Sequence, residues 1–292
     1  MEELKSCPVC NSVNFEPFIK AKDHSVSTEV FSIVSCKSCG FKFTNPRPKE
    51  ADLSAYYKTE AYISHTDTSK GLVNKLYKVV RSFTLISKYR LVKPYLKGKY
   101  LLDIGAGTAA FINQVGKKYQ KVVGIEPDTD AVEVAFKKYG IRLMPQTSLN
   151  QLESESCHVI TMWHVLEHVP RLREQIEQLQ RLLDRNGVIV IAVPNYKSYD
   201  AFHYQQFWAA YDLPRHLYHF DKQSIVNLFD QFGFELKSIK NMPFDSFYVS
   251  MLSEKYKTGH SNFFRAVWIG LMSLLKGSGN NTSSLIYIFG RK

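Results

Sequence analysis

Four of the five cysteines fall in two CxxC pairs, Cys7-Pro8-Val9-Cys10 and Cys36-Lys37-Ser38-Cys39, with 25 residues between them. A two-residue gap lets both thiolates of one turn face a single tetrahedral ion, and Gly40 suits the turn after the second pair. The chain opens Met1-Glu2-Glu3-Leu4-Lys5-Ser6-Cys7, with no apolar stretch of the kind that directs secretion. Its thiols are therefore expected to stay reduced in a cytoplasmic setting, and the pairing predicts a zinc ribbon ligated by Cys7, Cys10, Cys36 and Cys39 rather than disulfides. Four sulfur ligands leave no open position, so the expected zinc is structural. It holds residues 1–48, a segment too short to bury a sufficient core alone. The competing reading is four unconnected thiols; Cys157 stands apart as an ordinary semi-buried residue.

A second constellation lies farther along. Tyr100-Leu101-Leu102-Asp103-Ile104 runs into Gly105-Ala106-Gly107-Thr108, then a helical stretch, then Val122-Val123-Gly124-Ile125-Glu126, which is a βαβ unit. Glycines at the strand-to-helix turn let the backbone approach a ligand closely, and an acid ending the second strand can accept both hydroxyls of a ribose. Glu126 stands 21 residues after Gly105, the spacing this task requires. Dinucleotides and S-adenosylmethionine (SAM) share such a turn, and three features favour SAM. Ala110 replaces the third glycine that a pyrophosphate needs. Asp103 can accept a hydrogen bond from a ligand ammonium group but would repel a pyrophosphate. Val159-Ile160-Thr161-Met162-Trp163-His164-Val165-Leu166-Glu167-His168 then reads as a fourth strand, a polar aromatic loop and a helix.

On Leu102-Asp103-Ile104-Gly105-Ala106-Gly107 and Leu166-Glu167-His168 the chain resembles the class I SAM-dependent methyltransferases, over about residues 85–292. The resemblance implies an α/β, Rossmann-like sheet of seven strands whose last strand is antiparallel. It implies a cofactor site of Asp103, Gly105, Ala106, Gly107, Glu126, Pro127, Ser148, Trp163 and His164. Gly187 to Asn195 reads as the fifth strand, and Gly233 to Ile239 and Leu285 to Phe289 as the last two. Residues 240–284 are too long for a hairpin loop and read as an insertion with its own helices. Two positions depart from the family pattern: His158 stands where relatives carry an aspartate, and Thr147-Ser148 where they carry an acid near the adenine. Ser148 and the backbone of Leu149 are the expected substitutes.

Methyl transfer from a sulfonium is an in-line displacement, in which the protein aligns donor and acceptor and removes a proton only where the acceptor carries one. Histidine is the natural base. One cluster is His164, Glu167 and His168, at the sheet edge where open α/β sheets bind ligands. Glu167 and His168 there could instead cap a helix. The other cluster runs from Trp208 to Phe220, and its His216-Leu217-Tyr218-His219-Phe220 looks like the catalytic-loop segment of sugar C-methyltransferases. Those enzymes also join an N-terminal zinc-binding module to a SAM domain. That resemblance implies His216 as base on a keto-sugar of a nucleotide diphosphate. Leu213 occupies the place of a tyrosine those enzymes carry, and the same loop could serve O-methylation, or His216 and His219 could merely orient it. The catalytic candidates are thus His216 and His164.

The elements that must position these groups divide the 292 residues into a zinc ribbon (1–48), a basic helical segment (49–97) and a SAM-binding domain (98–292). In the middle segment Leu72, Val73, Leu76, Val79, Val80, Phe83 and Ile86 recur on one helix face, with Lys75, Lys78, Arg81 and Lys88 mostly elsewhere. The net charge of +11 is concentrated: residues 51–100 hold ten Lys/Arg against three Asp/Glu, and residues 251–292 hold six against one. Such local fields attract anions, so the expected substrate is an anionic small molecule: a nucleotide sugar, a glycan or a lipid-linked precursor. An apolar stripe at 263–275 is core or lid, with a peripheral membrane contact or dimer contact as the alternative. With 45% hydrophobic and 22% charged residues, and no run near the roughly 20 apolar residues a spanning helix needs, a transmembrane protein and a disordered chain are excluded. Three other functions compete. An RNA methyltransferase is opposed by the balanced first 50 residues, with seven Lys/Arg and six Asp/Glu, and by the lack of an Asn-Pro-Pro-Tyr-type motif at Met162-Trp163-His164-Val165. A non-catalytic zinc-ribbon binding protein is opposed by the intact glycine turn, and an NAD-dependent oxidoreductase by the features that favour SAM.

Overall fold

The computed structural model describes residues 1–57, 72–98, 100–119, 121–260, 262–277 and 280–292, with the side chains of 72–81 outside that description. Two sheets organise the chain. The small one is built from β1 (Phe15–Lys22), β2 (Val30–Cys36) and β3 (Lys42–Thr44). The large one contains β4 (Tyr100–Ile104), β5 (Val122–Ile125), β6 (Cys157–Trp163), β7 (Leu183–Pro194), β9 (Phe234–Asn241) and β10 (Ser284–Arg291), ordered β5-β4-β6-β7-β10-β9. Strand β8 (Tyr218–His219) leaves the large domain and pairs with β3, completing a four-stranded β1-β2-β3-β8 sheet.

Strands β4 to β7 are parallel neighbours, while β10 runs antiparallel between β7 and β9. The antiparallel last strand is as expected, but the count is not: six strands, rather than seven, pair among the described residues. Beyond β5 the seventh is reduced to one parallel bridge between Ile125 and Met144. Met144 exchanges bonds with Gly124 and Glu126, but Pro145 has no N–H to continue the ladder and the chain turns at once into a 3-10 segment, Gln146–Gln151.

Alternate residues of each central strand face opposite layers. Leu101, Val159, Val190 and Ile288 pack with helix α1 (Leu72–Val92) and α2 (Ala110–Gly116) on one face. Leu102, Ile160, Ile189 and Tyr287 pack on the other with α4 (Leu172–Leu182) and α6 (Lys222–Asp230). The intervening helices are α3 (Thr129–Tyr139) and α5 (Tyr199–Tyr204); the segment between β9 and β10 forms α7 (Pro243–Thr258) and α8 (Phe263–Lys276).

The linker departs from the sequence reading. Residues 58–71 and the side chains of Leu72 through Arg81 lie outside the described residues, and Glu50–Tyr56 is a 3-10 turn. Farther on, Leu85, Tyr89 and Val92 lie on a packed face of α1, whereas Phe83 is 59% exposed. On α8, Phe263, Phe264, Trp268, Leu271 and Leu275 are exposed while Ala266, Ile269 and Gly270 are buried. Part of the expected core stripe therefore faces outward. No helix among the described residues is long and apolar enough to cross a membrane.

Candidate active site

The turn after β4 is shaped by two left-handed glycines, Gly105 at φ +70° and Gly107 at φ +51°. A Cβ at Gly105 would sit 2.3 Å from Val165 Cγ2, so that glycine lets the loop after β6 close against the turn. A Cβ at Gly107 would meet no atom within 4 Å and would project into open space, the approach a ligand needs. The N–H groups of Gly105 and Ala106 both donate to the Ile125 carbonyl, fixing the turn to β5. Glu126, 9% exposed, accepts from the N–H of Gly107 (2.7 Å) and of Asp128 (2.9 Å). Burial raises its pKa, though those two N–H groups oppose the shift. Its oxygens keep lone pairs for hydroxyl donors. Pro127 follows, exposed, at the entry to α3.

Asp103 is 2% exposed and accepts from Thr161 Oγ1 at 2.5 Å across the β4–β6 pair. Burial pushes its carboxyl up to about 7, with Glu126 adding to the rise and Thr161 and Lys88 opposing it. Ser148 and Leu149 are buried in the 3-10 turn, where the Ser148 N–H donates to Pro145. Trp163 packs edge-on against Phe111, lies under Lys88 Nζ at 4.4 Å, and has no partner for its Nε1 among the described residues. The open face of Gly107 and the Glu126 carboxylate form a set that fits the ribose part of SAM.

His164 adopts φ +58°, a region that costs a non-glycine residue energy unless its surroundings hold it there. They do so twice. Its Nδ1 lies 3.3 Å from Glu167 Oε1 and its Nε2 2.9 Å from Asp245 Oδ2. Burial alone would lower its pKa, but the carboxylates of Asp245 and Glu167 outweigh that and raise it to about 10. In its imidazolium form His164 has no lone pair with which to take a proton and instead ties Glu167 to Asp245. Glu167 is the fully buried partner of this ion pair and caps no helix: the 3-10 turn Leu166–His168 has no side-chain cap.

His216 lies on the loop between β7 and α6 and is 8% exposed. Its Nδ1 is 2.8 Å from the Ala210 carbonyl; a carbonyl only accepts, so Nδ1 carries a proton, and in the neutral ring the lone pair is on Nε2. The ring stands edge-on to His168, with centroids 4.5 Å apart. His168 is pushed down to about 4 by burial and then by His216. Thus the structure brings His164, Glu167, His168 and His216 into one chain of contacts, although 48 positions separate the last two.

The small sheet holds this loop from the other side. Thr44 donates its hydroxyl to the His216 carbonyl (2.7 Å), and its N–H donates to Leu217 O (3.0 Å). Arg215 pairs with Asp23 (3.0 Å) and Asp212 (2.6 Å), and Arg47 donates to Tyr218 Oη (3.0 Å). At the far end of that sheet the thiols converge: Cys7 and Cys39 Sγ are 3.6 Å apart, Cys10 and Cys36 3.5 Å, and all four atoms lie within 4.8 Å of one another. A tetrahedral ion about 2.3 Å from each sulfur fits those separations.

Several of these residues carry no sequence signal. Thr161 is findable from strand register, as it stands opposite Asp103. Lys88 and Asp245 are not: the first lies in the basic helix and the second opens α7, both far in sequence from the loop they contact.

Comparison with known proteins bears on the family and the fold. A family model described as a methyltransferase domain matches residues 83–239. The chain is 31% identical over 111 residues to a ubiquinone biosynthesis O-methyltransferase of Actinobacillus pleuropneumoniae serotype 7, covering 34% of this chain and 47% of that protein. It is 27% identical over 179 residues to the protein of that name from Haemophilus ducreyi, covering 55% and 73%. The match thus spans about half the length of the first of these relatives. The solved structure of magnesium protoporphyrin IX methyltransferase from Synechocystis PCC 6803, with bound S-adenosylhomocysteine (SAH), is 16% identical. It superposes with a TM-score of 0.55 over 84% of this chain and 100% of that one, a likeness of fold.

Proposed function

Since the chain belongs to the methyltransferase-domain family, we propose that it transfers a methyl group from SAM to an anionic small molecule, of the kind of a nucleotide sugar, a glycan or a lipid-linked precursor. The observation that carries this reading is the convergence of Asp103, the Gly105–Gly107 turn and Glu126 at one edge of the sheet. When bound, SAM supplies a methyl group on a sulfonium, already electrophilic. Asp103 takes its ammonium, Glu126 its ribose hydroxyls, Ser148 and Leu149 its adenine edge, and Trp163 and His164 line the methyl end. Removal of the acceptor's proton depends on His216, whose Nε2 has no hydrogen-bond partner among the described residues. An anionic acceptor is supported by a cleft of about 370 Å³ lined by Lys88, Arg90, Lys240, Met242 and Phe244, beside Asp245.

Two cations of the N-terminal module are engaged within the protein rather than offered to an RNA backbone. Arg47 is spent on Glu2, Tyr218 and Pro170, and Lys42 lies over the rings of Phe18 and Tyr196. We assign that module a structural Zn²⁺ on Cys7, Cys10, Cys36 and Cys39, whose task is to hold the His216 loop through β3 and Thr44. Replacing Cys36 with serine is then expected to free the amide of Thr44, which donates to Leu217 O, to hydrogen exchange and to lower turnover, while SAH affinity changes less than about threefold. Unaltered exchange at Thr44 would detach the module from the loop.

Calorimetric titration with SAH, with NADH as control, tests the cofactor assignment, and its pH dependence tests Asp103. The free carboxyl titrates at about 7, and the ligand ammonium binds the ionised form. Below that pH binding must first expel a proton, at about 1.4 kcal/mol per pH unit. SAH affinity should therefore fall by up to about tenfold per unit below pH 7 and level off above it. In Asp103→Asn it should be weaker and lack that step. Binding of NADH alone would overturn the cofactor, and a flat wild-type profile would overturn the role of Asp103.

A further inference from the structure

Glu167, His168 and His216 come together away from the cysteine cluster. Each offers one ligand atom, and these atoms lie within 4.8 Å of one another. The hydrogen bonds around them determine which atoms remain available. His216 Nδ1 faces the Ala210 carbonyl at 2.8 Å, and His168 Nδ1 lies 3.1 Å from the Arg215 carbonyl and 2.9 Å from Tyr57 Oη. Both rings therefore turn Nδ1 to the backbone and leave Nε2 as donor atom. A histidine that binds a metal is oriented in this way, with its other ring N–H on a carbonyl or carboxylate. Glu167 is 0% exposed; its Oε1 pairs with His164, and its Oε2 has no hydrogen-bond partner among the described residues. A fully buried carboxylate oxygen without a donor is costly unless a cation or proton meets it. The remaining neighbour, Asp212 Oδ2, is 4.0 Å from His216 Nε2 and is already engaged by Arg215.

We propose that Glu167, His168 and His216 bind a divalent transition-metal ion. Two imidazoles and one carboxylate suit Zn²⁺, Co²⁺ or Fe²⁺ rather than the oxygen-preferring Mg²⁺ or Ca²⁺. Ligands about 2.1 Å from a tetrahedral ion are about 3.4 Å apart, so the cluster must contract by roughly 1 Å, within reach of side-chain rotation. Three protein ligands leave a position open, unlike the four cysteines. The use of that position rests on the proposed methyl transfer: an acceptor hydroxyl bound there loses its proton to water more readily and keeps its electron pair on oxygen for the incoming methyl. The ion itself is independent of that reading, because its binding is measurable without SAM or acceptor.

The experiment is a Co²⁺ titration of the metal-stripped full chain, followed by absorption spectroscopy and metal analysis. Wild type is expected to take two ions per chain, one with the intense sulfur-to-metal charge-transfer band of thiolate ligation and one without it. His168→Ala should keep the first and lose the second, with at least tenfold weaker affinity there. A wild-type stoichiometry of one thiolate-bound ion per chain overturns the site without recourse to any variant, whether or not His168→Ala folds. In that event the proton is left to His216 Nε2 itself. If the second ion binds while SAH does not, the metal site stands and the methyl-transfer reading fails.

Discussion

Glu126→Ala is expected to weaken SAH binding by about 100-fold or more. The carboxylate meets both ribose hydroxyls in the proposed complex, and charge-assisted hydrogen bonds contribute about 1.5–3 kcal/mol each. Two of them correspond to at least about 3 kcal/mol, a factor above 100. The residue has a second task, since it also accepts the N–H groups of Gly107 and Asp128 and so holds the turn the ligand must approach. Glu126→Gln separates the two tasks: the amide still offers one acceptor to the backbone but loses the charge and presents an NH₂ where an oxygen stood. Its SAH affinity should fall by about tenfold, between wild type and alanine. Melting curves of the ligand-free variants report the turn, and calorimetry reports the ribose contact. Unchanged affinity in Glu126→Ala, with the fold intact, would remove Glu126 from the cofactor site.

The second large effect is on turnover. His216→Ala should lower kcat by about 10²–10⁴, the range for a group on which proton transfer depends, while SAH binds within about threefold of wild type. The separation follows from position. His216 hangs on the loop after β7 and is tied to Ala210, Thr44 and His168, whereas the proposed cofactor contacts sit on the turns after β4, β5 and β6. His164→Ala should show the opposite pattern. Its imidazolium binds Glu167 to Asp245 and thereby α7 to the loop beside the glycine turn, so its loss should weaken SAH binding as well as slow turnover. Normal turnover in His216→Ala would sink its role, and equal loss of SAH affinity in the two variants would collapse the distinction between them.

Much of the proposed cofactor side was legible from local text. Asp103, Gly105, Gly107 and Glu126 belong to a single βαβ unit, where a strand, a turn and the next strand fix their relation within about two dozen residues. The missing strand was less legible. Leu143-Met144-Pro145 has strand-like character, and the stop imposed by Pro145 shows only when its place beyond β5 is known. On the linker helix Phe83 falls on the apolar stripe yet is exposed, while Leu85, Tyr89 and Val92 pack.

What the sequence by itself determined is therefore what depends on near neighbours. This holds for the CxxC knuckles, the glycine turn and the acid after β5, whereas the antiparallel closing strand was implied only by the family resemblance. Only the tertiary structure decided the state of the histidines. His164 and His216 are indistinguishable in the text, yet one lies between Glu167 and Asp245 and is held charged, while the other keeps an unbonded Nε2 beside His168. Nor does the text tie the N-terminal module to the His216 loop, a link made by β3 pairing with β8 and by Thr44 reaching His216 across 172 positions. Charge state and orientation depend on which groups become neighbours when distant segments are packed out of water, and burial magnifies each such contact.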